Sequence, residues 1–422
     1  MKKILLINPP RYEIVPDYFD KGMKEFMLSA FFPAGLLRAG TYFRRQGCKV
    51  SMINAAGTIR YGKAAAHTLV GKRRVGNFKG RPIYNPLYYI GMPLKEFKKR
   101  LQMHERPDEV YITSFFTYHW ESVHEVIRIC KEVFPSAKVV MGGIYPSLCP
   151  QHAGTSLADV IHVGELNSVN NCYLALDLLD EIPDFIVLKT SRGCPGKCSY
   201  CAVHLLEGNT MRYRDPKDTV DEIEEKCRKY NIGKVEFWES NILLNMEQHF
   251  ERILGLIISR KLKLTLFFPE GFNPCLLNEN LIFKMRMAGV ELISLSVETQ
   301  DKQTALRRFH SVYKLPALMK GMGAIRRAGM RSFSFVMAGM PEQPVEEVRK
   351  TTIEILKMDS RPRLMPFTPI PGTQEYVKYY KDIAHKGLEN LHPWLWPCVK
   401  SREDYIQLIE LEKKLLRLLS LE

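Results

Sequence analysis

Three cysteines crowded into one loop are the residues of this chain with the most specific chemistry. Cys194, Cys198 and Cys201 lie in the run SRGCPGKCSYC, spaced Cys-x-x-x-Cys-x-x-Cys. Pro195 and Gly196 interrupt regular structure there, which leaves the three thiolates free to converge on one point. A cluster of four iron and four sulfur atoms normally takes four thiolates, one per iron. A loop that offers three therefore leaves one iron free to bind a ligand that is not protein.

Two other interpretations of these cysteines stay open at the level of sequence. A structural zinc ion needs a fourth ligand, commonly from a second Cys or His pair, and His204 is near enough to compete. Disulfides are less favoured, because ten cysteines are spread over 422 residues and we expect no signal peptide. The spacing therefore predicts an iron–sulfur cluster, with zinc as the alternative.

The composition indicates a protein of more than one domain. A chain of 422 residues with 45% apolar and 25% charged residues has ample material for two cores. No apolar run approaches the length of a membrane span, so we expect none. Unpaired cysteines and an oxygen-labile cluster favour a reducing, cytoplasmic compartment.

Positive charge is concentrated in one segment. The chain carries 61 basic and 46 acidic residues, a net charge of +15. Between Arg60 and Arg106 there are 12 basic residues and only 2 acidic ones. Such a stretch could meet nucleic acid, anionic lipid or a phosphorylated small molecule, or could simply be a solvated surface.

The sequence predicts that residues 1–170 form a first domain, an α/β unit in which strands and helices alternate. Strands are predicted at 3–7, 50–53, 109–113, 138–141 and 160–163, and the basic insertion occupies about 58–106. This order indicates a parallel sheet with helices on both faces, in which ligands bind beyond the carboxyl ends of the strands. Those ends and the segments after them carry Asn8, Pro9, Ser114, Phe115, Tyr118, Gly142, Gly143, Gly164 and Glu165. Gly142 and Gly143 lack side chains that would block a large flat ligand.

The sequence predicts that residues 180–375 form a second domain, a partial (β/α)6 barrel. Strands are expected at 185–189, 234–238, 264–268, 292–297, 332–338 and 363–368. Active sites of such barrels gather at the carboxyl ends of the strands, where Glu239, Glu270 and Glu298 recur. Residues 376–422 form a C-terminal aromatic segment and a helix at about 402–419. Its cap is Ser401, and its apolar stripe is Leu408, Leu411, Leu415 and Leu418.

Tyr200, just before the third cysteine, makes the loop resemble that of radical S-adenosylmethionine (SAM) enzymes. With KILLINPPR, VMGGIYPS and DVIHVGE before it, the chain is similar to the cobalamin-binding radical SAM proteins over about residues 3–376. The resemblance implies a Rossmann-like cobalamin-binding domain, a radical SAM partial (β/α)6 barrel and a short helical C-terminal extension. The chain departs from the pattern at Leu166-Asn167, where relatives often have a second Gly-Glu. It also lacks Asp-x-His-x-x-Gly, the source of an axial histidine in other cobalamin proteins.

The resemblance also implies a set of site residues. A [4Fe-4S] cluster would be held by Cys194, Cys198 and Cys201. SAM would be bound by Tyr200, Glu239, Ser240, Glu298 and Gly339. Cobalamin would contact Asn8, Pro9, Ser114, Phe115, Tyr118, Gly142, Gly143, Gly164 and Glu165. Tyr118, His119 and Trp120 could line the lower face of the corrin, with His119 interpreted as a loop residue rather than a cobalt ligand.

The implied activity is methyl transfer to an unactivated carbon, using a 5′-deoxyadenosyl radical from SAM, methylcobalamin and an external one-electron reductant. Three alternatives stay open. They are radical SAM oxidation, cyclisation or rearrangement without methyl transfer, RNA modification suggested by the basic segment, and a zinc-stabilised nucleic-acid-binding protein without catalysis. The sequence does not identify the substrate, which could be a small molecule, a peptide or RNA, or the oligomeric state.

Overall fold

The computed structural model describes residues 1–76, 78–79, 81–309, 315–383 and 387–420. The strands are β1 (Lys3–Asn8), β2 (Arg11–Ile14), β3 (Lys49–Asn54), β4 (His67–Val75), β5 (Ile83–Ile90), β6 (Glu109–Ser114), β7 (Lys138–Gly143), β8 (Val160–Ile161), β9 (Phe185–Leu188), β10 (Ser191–Arg192), β11 (Arg212–Tyr213), β12 (Lys234–Phe237), β13 (Thr265–Phe267), β14 (Leu292–Glu298), β15 (Arg331–Ala338) and β16 (Arg361–Pro366). The helices are α1 (Lys21–Met27), α2 (Ala34–Arg45), α3 (Leu94–Gln102), α4 (Trp120–Val133), α5 (Ile144–Leu148), α6 (Pro150–Ala153), α7 (Val203–Leu206), α8 (Pro216–Tyr230), α9 (Phe250–Ser259), α10 (Glu279–Met287), α11 (Lys302–Phe309), α12 (Leu315–Arg327), α13 (Val345–Lys357), α14 (Gln374–Ile383) and α15 (Arg402–Ser420).

The N-terminal sheet is parallel and has the order β3-β1-β6-β7-β8. The interior strand β1 is an unbroken apolar run from Ile4 to Ile7 with at most 1% exposure, because helices cover both faces of the sheet. The chain moves outward from β1 in opposite directions, first to β3 and later to β6. Ligands of open α/β sheets bind at this reversal. It places the ends of β1 and β6, at Asn8 and Ser114, on either side of a crevice.

The basic insertion forms a structure that the sequence pattern did not predict. Strands β4 and β5 pair antiparallel, and β5 also pairs with β2. Helix α3 follows, at the position expected for it. Because β2 lies about 70 residues before β5, no local pattern indicates that the two strands pair. The insertion therefore contributes two strands to a folded three-stranded sheet, which β2 completes.

The second half is an open barrel of six parallel strands, which confirms the predicted fold. Strands β9, β12 and β13 are neighbours in one group, and β14, β15 and β16 in the other. Parallel bridges between Leu266 and Val290 and between Phe272 and Leu295 join the groups. Side chains alternate along each strand, so that in β15 Phe335 and Met337 line the barrel cavity while Val336 packs outward in the core.

N-terminal residues pack against strands of the barrel. Tyr61 stacks on Phe267 with ring centroids 4.5 Å apart, and Phe32 lies 5.5 Å from Phe185. Helix α15 packs on β16 and α13. Its first turn is capped by the Ser401 hydroxyl, which accepts from the amides of Glu403 and Asp404 at 3.1 and 3.3 Å.

Three further observations bear on the sequence predictions. The predicted stripe of α15 is partly wrong, because Leu408 and Leu415 are buried but Leu418 is 52% exposed. None of the ten cysteines, all of which lie in described segments, forms a disulfide bond. Within the described residues, we find no helix with the length and apolar character needed to cross a membrane.

Candidate active site

A cavity of ≈ 1890 Å³ lies between the carboxyl ends of the two parallel sheets. Its wall includes Asn8 and Gly142 from the N-terminal sheet and Cys198 and Glu298 from the barrel half. Pockets for one drug-sized ligand measure roughly 300–1,000 Å³. The two predicted ligand regions are therefore one continuous space, large enough for more than one small molecule.

The three-cysteine loop runs between β10 and α7 and is closed at its base by the antiparallel pair of β10 and β11. Gly193 has φ 86°, and a Cβ atom there would lie 2.3 Å from the carbonyl oxygen of Thr210. The amide of Cys194 donates to the carbonyl of Gly208 at 3.1 Å. The loop thus turns tightly on a glycine that no other residue could replace without moving the backbone.

All three cysteines of the loop line the cavity. Burial raises the pKa of Cys198 to about 12, and the neighbouring sulfur atoms of Cys201 and Cys194 add to the rise. Three thiolates so close together require a bound cation to stay ionised. Among described residues, the one group of three metal-ligating atoms all within 4.8 Å of one another lies elsewhere. A single zinc ion with bonds of about 2.3 Å would need its sulfur ligands about 3.8 Å apart. The wider spacing favours a cluster with one thiolate per iron.

Glu207 and Lys189 anchor this loop and were missed by the sequence analysis. The Glu207 carboxylate accepts from the amide of Gly193 and the hydroxyl of Ser240, each at 3.0 Å, and pairs with the Lys189 ammonium. Burial raises the pKa of Glu207, but Lys189 outweighs it and the net shift is downward. Glu207 therefore stays ionised and holds the loop. Glu207 lies outside the cysteine motif, and no sequence pattern indicated that its carboxylate would contact the loop.

Glu239, predicted to contact SAM, is 3% exposed and saturated with protein donors. Its Oε1 accepts from the Thr190 amide at 2.5 Å and its Oε2 from the Ser191 amide at 2.9 Å, with both hydroxyls adding further bonds. The Ser240 hydroxyl contacts Lys189 and Glu207. Both residues line the cavity, but their side chains are engaged in positioning the strand that leads into the cysteine loop.

Glu298 is the predicted SAM-binding residue whose carboxylate faces the cavity without an ion pair in the described chain. It ends β14 at a register shift and has φ 62°, an unusual backbone conformation for a residue with a side chain. Desolvation raises the pKa of Glu298 to about 7. Glu270, after β13, also lines the cavity, and burial raises its pKa. Tyr200 lines the same wall.

Gly339 does not reach the cavity, contrary to the expectation that it would let the backbone approach SAM. It has φ 74°, and a Cβ atom there would lie 2.9 Å from the Trp396 ring and 3.0 Å from Val399. The glycine makes room for this tryptophan, which is 1% exposed. No local sequence pattern indicates that a residue 57 positions later occupies that space.

The predicted strand-end residues of the N-terminal sheet meet at the crevice. Asn8 donates from its amide to the Asn54 side chain at 2.8 Å, and the Ser114 hydroxyl donates to the Gly142 carbonyl at 3.2 Å. Gly143 has φ 111°, and a Cβ atom there would lie 2.1 Å from the Ser114 carbonyl oxygen. A Cβ on Gly142 would make only ordinary contact with His162 at 3.8 Å. The crevice floor is therefore backbone, open to a flat ligand, and Pro9 lies on its rim.

Gly164, Glu165 and Phe115 also line the cavity, and the last two connect the two halves. Glu165 pairs with Arg192 at 2.8 Å and with Arg212, so both of its carboxylate oxygens are used. Phe115 stacks on Phe31 at 4.7 Å and meets Trp238 of the barrel edge-on at 5.4 Å. These contacts fix the crevice of the sheet against the mouth of the barrel.

Beside the crevice lies a buried group of acid and histidines that sequence reasoning did not assemble. His392 Nε2 lies 2.5 Å from Glu13 Oε1, Arg11 Nε donates to Glu13 Oε2 at 3.0 Å, and His119 Nε2 is 3.5 Å from that same Oε2. Neither ring nitrogen of His119 is solvent-accessible or hydrogen-bonded. Tyr118 packs edge-on against His392 at 4.5 Å. Trp120 points away and donates to Glu389 at 3.1 Å.

Comparison with known proteins finds similarity in both halves of the chain. Residues 188–353 match the model of the Radical SAM superfamily. An uncharacterized methyltransferase of Pyrococcus horikoshii is 24% identical over 202 residues, which cover 46% of this chain and 42% of that protein. The bacteriochlorophyllide d C-8(2)-methyltransferase of Chlorobaculum tepidum is 24% identical over 310 residues, 61% of this chain and 64% of that protein. The chain thus matches less than two thirds of the length of either relative.

A solved structure resembles nearly the whole fold. TsrM, a radical SAM methyltransferase from Kitasatospora setae with cobalamin and a [4Fe-4S] cluster bound, matches with a TM-score of 0.63 at 14% identity. The match covers 91% of this chain and 79% of TsrM. The predicted resemblance is confirmed: the chain carries a radical SAM domain at residues 188–353, within the fold of the cobalamin-binding radical SAM enzymes.

Proposed function

We propose that this chain is a cobalamin-dependent radical SAM methyltransferase that acts on an unactivated carbon. The observation that carries the proposal is the loop of Cys194, Cys198 and Cys201, whose three thiols face one large cavity shared with the crevice of the parallel sheet. A loop with three thiolates suits a [4Fe-4S] cluster with one iron left for SAM.

The crevice residues fit a flat, large cofactor such as cobalamin. Gly142 and Gly143 present backbone to the cavity, and a side chain on Gly143 would collide with Ser114. The cavity volume of ≈ 1890 Å³ accommodates more than SAM alone. His119 supplies no cobalt ligand in this arrangement, because its ring nitrogens are enclosed by the surrounding side chains.

A cluster held by Cys194, Cys198 and Cys201 would supply the electron for reductive cleavage of SAM, and a corrinoid in the crevice would supply the methyl group. The protein binds and orients these partners. Glu298 offers a carboxylate to the ammonium or ribose hydroxyls of SAM. Phe31, Phe115 and Trp238 line the cavity with aromatic rings where the crevice meets the barrel mouth.

The proposal includes an external one-electron reductant and a reducing, cytoplasmic compartment. The absence of disulfide bonds among the ten cysteines supports such a compartment. The names of the two curated relatives support methyl transfer rather than another radical SAM reaction. The substrate of this chain is not identified by these relatives.

The test is anaerobic purification with cobalamin supplied, followed by measurement of iron, sulfide, cobalt and SAM cleavage. We expect about four irons per chain, bound cobalamin and reductant-dependent formation of 5′-deoxyadenosine. Iron without cobalt would remove the methyl-transfer part of the proposal. Zinc in place of iron would remove the whole proposal.

A further inference from the structure

Arg363 is a cation in the cavity wall that none of the proposed cofactor contacts uses. It lies in β16, in register with Phe335 of β15, which is itself in register with Ser296 of β14. Glu298 is in register with Val336 and, through it, with Leu364, the residue after Arg363. The Arg363 side chain therefore lines the cavity about one residue, or about 3.3 Å, below the level of Glu298.

The pairing of Arg363 differs from that of other guanidinium groups removed from solvent. Arg11, Arg38 and Arg214 are 3–6% exposed, and each pairs with a carboxylate. Arg192, which is half-buried like Arg363, pairs with Glu165. Arg363 has no carboxylate within 4 Å in the segments described above. Its one hydrogen-bond partner is the Met23 sulfur at 3.3 Å, a weak acceptor.

Burial of this guanidinium carries a desolvation cost, and the nearby Glu412 carboxylate offsets it only in part. Desolvation lowers the pKa of Arg363, opposed only by the charge of Glu412. The Glu412 carboxylate already accepts from the Tyr18 hydroxyl at 2.9 Å, and burial raises its pKa to about 7. A charge removed from water is stabilised by pairing and hydrogen bonding. The missing partner is an anion that enters the cavity.

We propose that Arg363 recognises a carboxylate or phosphate group on the substrate, and that the rest of this substrate is apolar. The planar guanidinium matches both oxyacids through two parallel hydrogen bonds. The surroundings are apolar, since Met23, Phe335 and the 39% exposed Met365 flank the group. The inference rests on the proposed function, because it assigns this part of the cavity to the substrate rather than to SAM or cobalamin.

The experiment compares hexanoate, hexyl phosphate and 1-hexanol by isothermal titration calorimetry on the full-length chain after anaerobic reconstitution with cluster and SAM. We expect one of the two anions to bind about tenfold or more tightly than hexanol, as for a charge-assisted hydrogen bond. The preferred anion identifies the acidic group. Arg363→Met should remove the preference and leave hexanol binding unchanged.

Two controls separate charge, geometry and folding. Arg363→Lys keeps the positive charge but loses the planar guanidinium that makes two parallel hydrogen bonds. It should retain only part of the preference for the anion over hexanol. It also serves if the methionine variant does not fold. Arg326→Met removes an exposed arginine on α12 and should behave as wild type. Equal binding of all three probes, or a preference that survives Arg363→Met, would overturn the proposal. So would an equal loss of SAM or cobalamin affinity in that variant.

Failure of this inference is distinguishable from failure of the proposed function. Iron content and SAM cleavage are measured on the same wild-type preparation. A chain without iron refutes the proposed function, while the three probes still report whether Arg363 binds anions. Normal iron and SAM cleavage without anion preference refutes the role of Arg363 alone.

Discussion

The wall of the N-terminal crevice and the barrel mouth use their charged groups in opposite ways. Beside the crevice, Arg11, Glu13 and His392 are at most 5% exposed and are bonded to one another. In the barrel, Glu298 and Glu270 face the cavity, and within the described chain neither has an ion pair with a protein cation. Both regions hold ligand-type atoms close together, so proximity alone does not separate them.

The two regions differ in which group neutralises their acidic side chains. The positive charge of Arg11 already offsets the Glu13 carboxylate, and a divalent ion placed there would be repelled by the guanidinium. The group of Glu13, His119 and His392 is therefore structural, although its three ligand atoms lie within 4.8 Å of one another. The thiols of the cysteine loop instead line the open cavity, where burial raises the pKa of Cys198 and Cys201. The proposal assigns a metal cluster as their partner, and the predictions below test this contrast.

The largest effect is expected for Cys198→Ala. The variant removes one of three thiolates, so we expect iron to be lost and SAM cleavage to fall to background. Cys227→Ala on α8, half-buried and away from the cavity, is the matched control and should keep both. His392→Ala should also keep its iron. Intact SAM cleavage in Cys198→Ala would contradict the assignment of the cluster.

The second effect is on stability. Glu13→Gln leaves Arg11 buried without its carboxylate, and the free energy of unfolding at pH 7 should fall by about 3–5 kcal/mol. Burial opposes ionisation of Glu13, but His392 and His119 outweigh it and hold its pKa well below the usual value. A lowered carboxyl pKa stabilises the fold above the unfolded value of about 4.5, and this contribution disappears only as the pH falls further.

Urea denaturation measures this loss. The exposed Glu410→Gln on α15 is the control and should change the unfolding free energy by less than about 0.5 kcal/mol. Iron content should be unchanged in both variants. A Glu13→Gln protein of wild-type stability that has lost a metal ion would reverse the comparison between the two regions.

A smaller and more specific effect is expected for Glu298→Gln. Loss of a charge-assisted hydrogen bond should weaken SAM binding about tenfold without changing iron content. Because desolvation raises the pKa of Glu298 to about 7, wild-type affinity for SAM should rise as the pH increases from 6 to 8. The variant should lack this rise. Calorimetric titration with SAM at several pH values measures both effects.

Glu239→Gln sharpens the same point. Glu239 accepts from the amides of Thr190 and Ser191, so the variant should lose iron rather than SAM affinity alone. Equal behaviour of the two glutamate variants would mean that both carboxylates contact SAM.

The barrel strands and the cysteine loop could be predicted from local sequence, because a strand, a turn and closely spaced ligands are each encoded within a few residues. Long-range packing decided what the sequence did not predict. Gly339 serves Trp396, and β2 pairs with β5. His392 reaches Glu13 across 379 positions.

The position of charged residues also depended on the fold. Glu239 follows its strand as predicted, but its carboxylate turns back toward the start of the cysteine loop. Arg363 lies within β16, where successive side chains point to opposite faces. The sequence alone does not show that its side chain points into the barrel. Sequence patterns thus located the strand ends, while the partners of each side chain required the three-dimensional arrangement.

The smallest effect is expected in the basic insertion, where Arg73 and Arg74 are adjacent but differ in burial. Arg73 is 15% exposed and pairs with Glu121. Arg74 is exposed, and its one hydrogen bond within the described segments goes to the Phe78 carbonyl at 3.4 Å. Arg73→Ala should lower the free energy of unfolding by about 0.2–1 kcal/mol, and Arg74→Ala by less. Urea denaturation compares them, and SAM cleavage should be unchanged in both. RNA affinity that falls steeply with salt and is lost in Arg74→Ala would instead make the insertion a nucleic-acid surface.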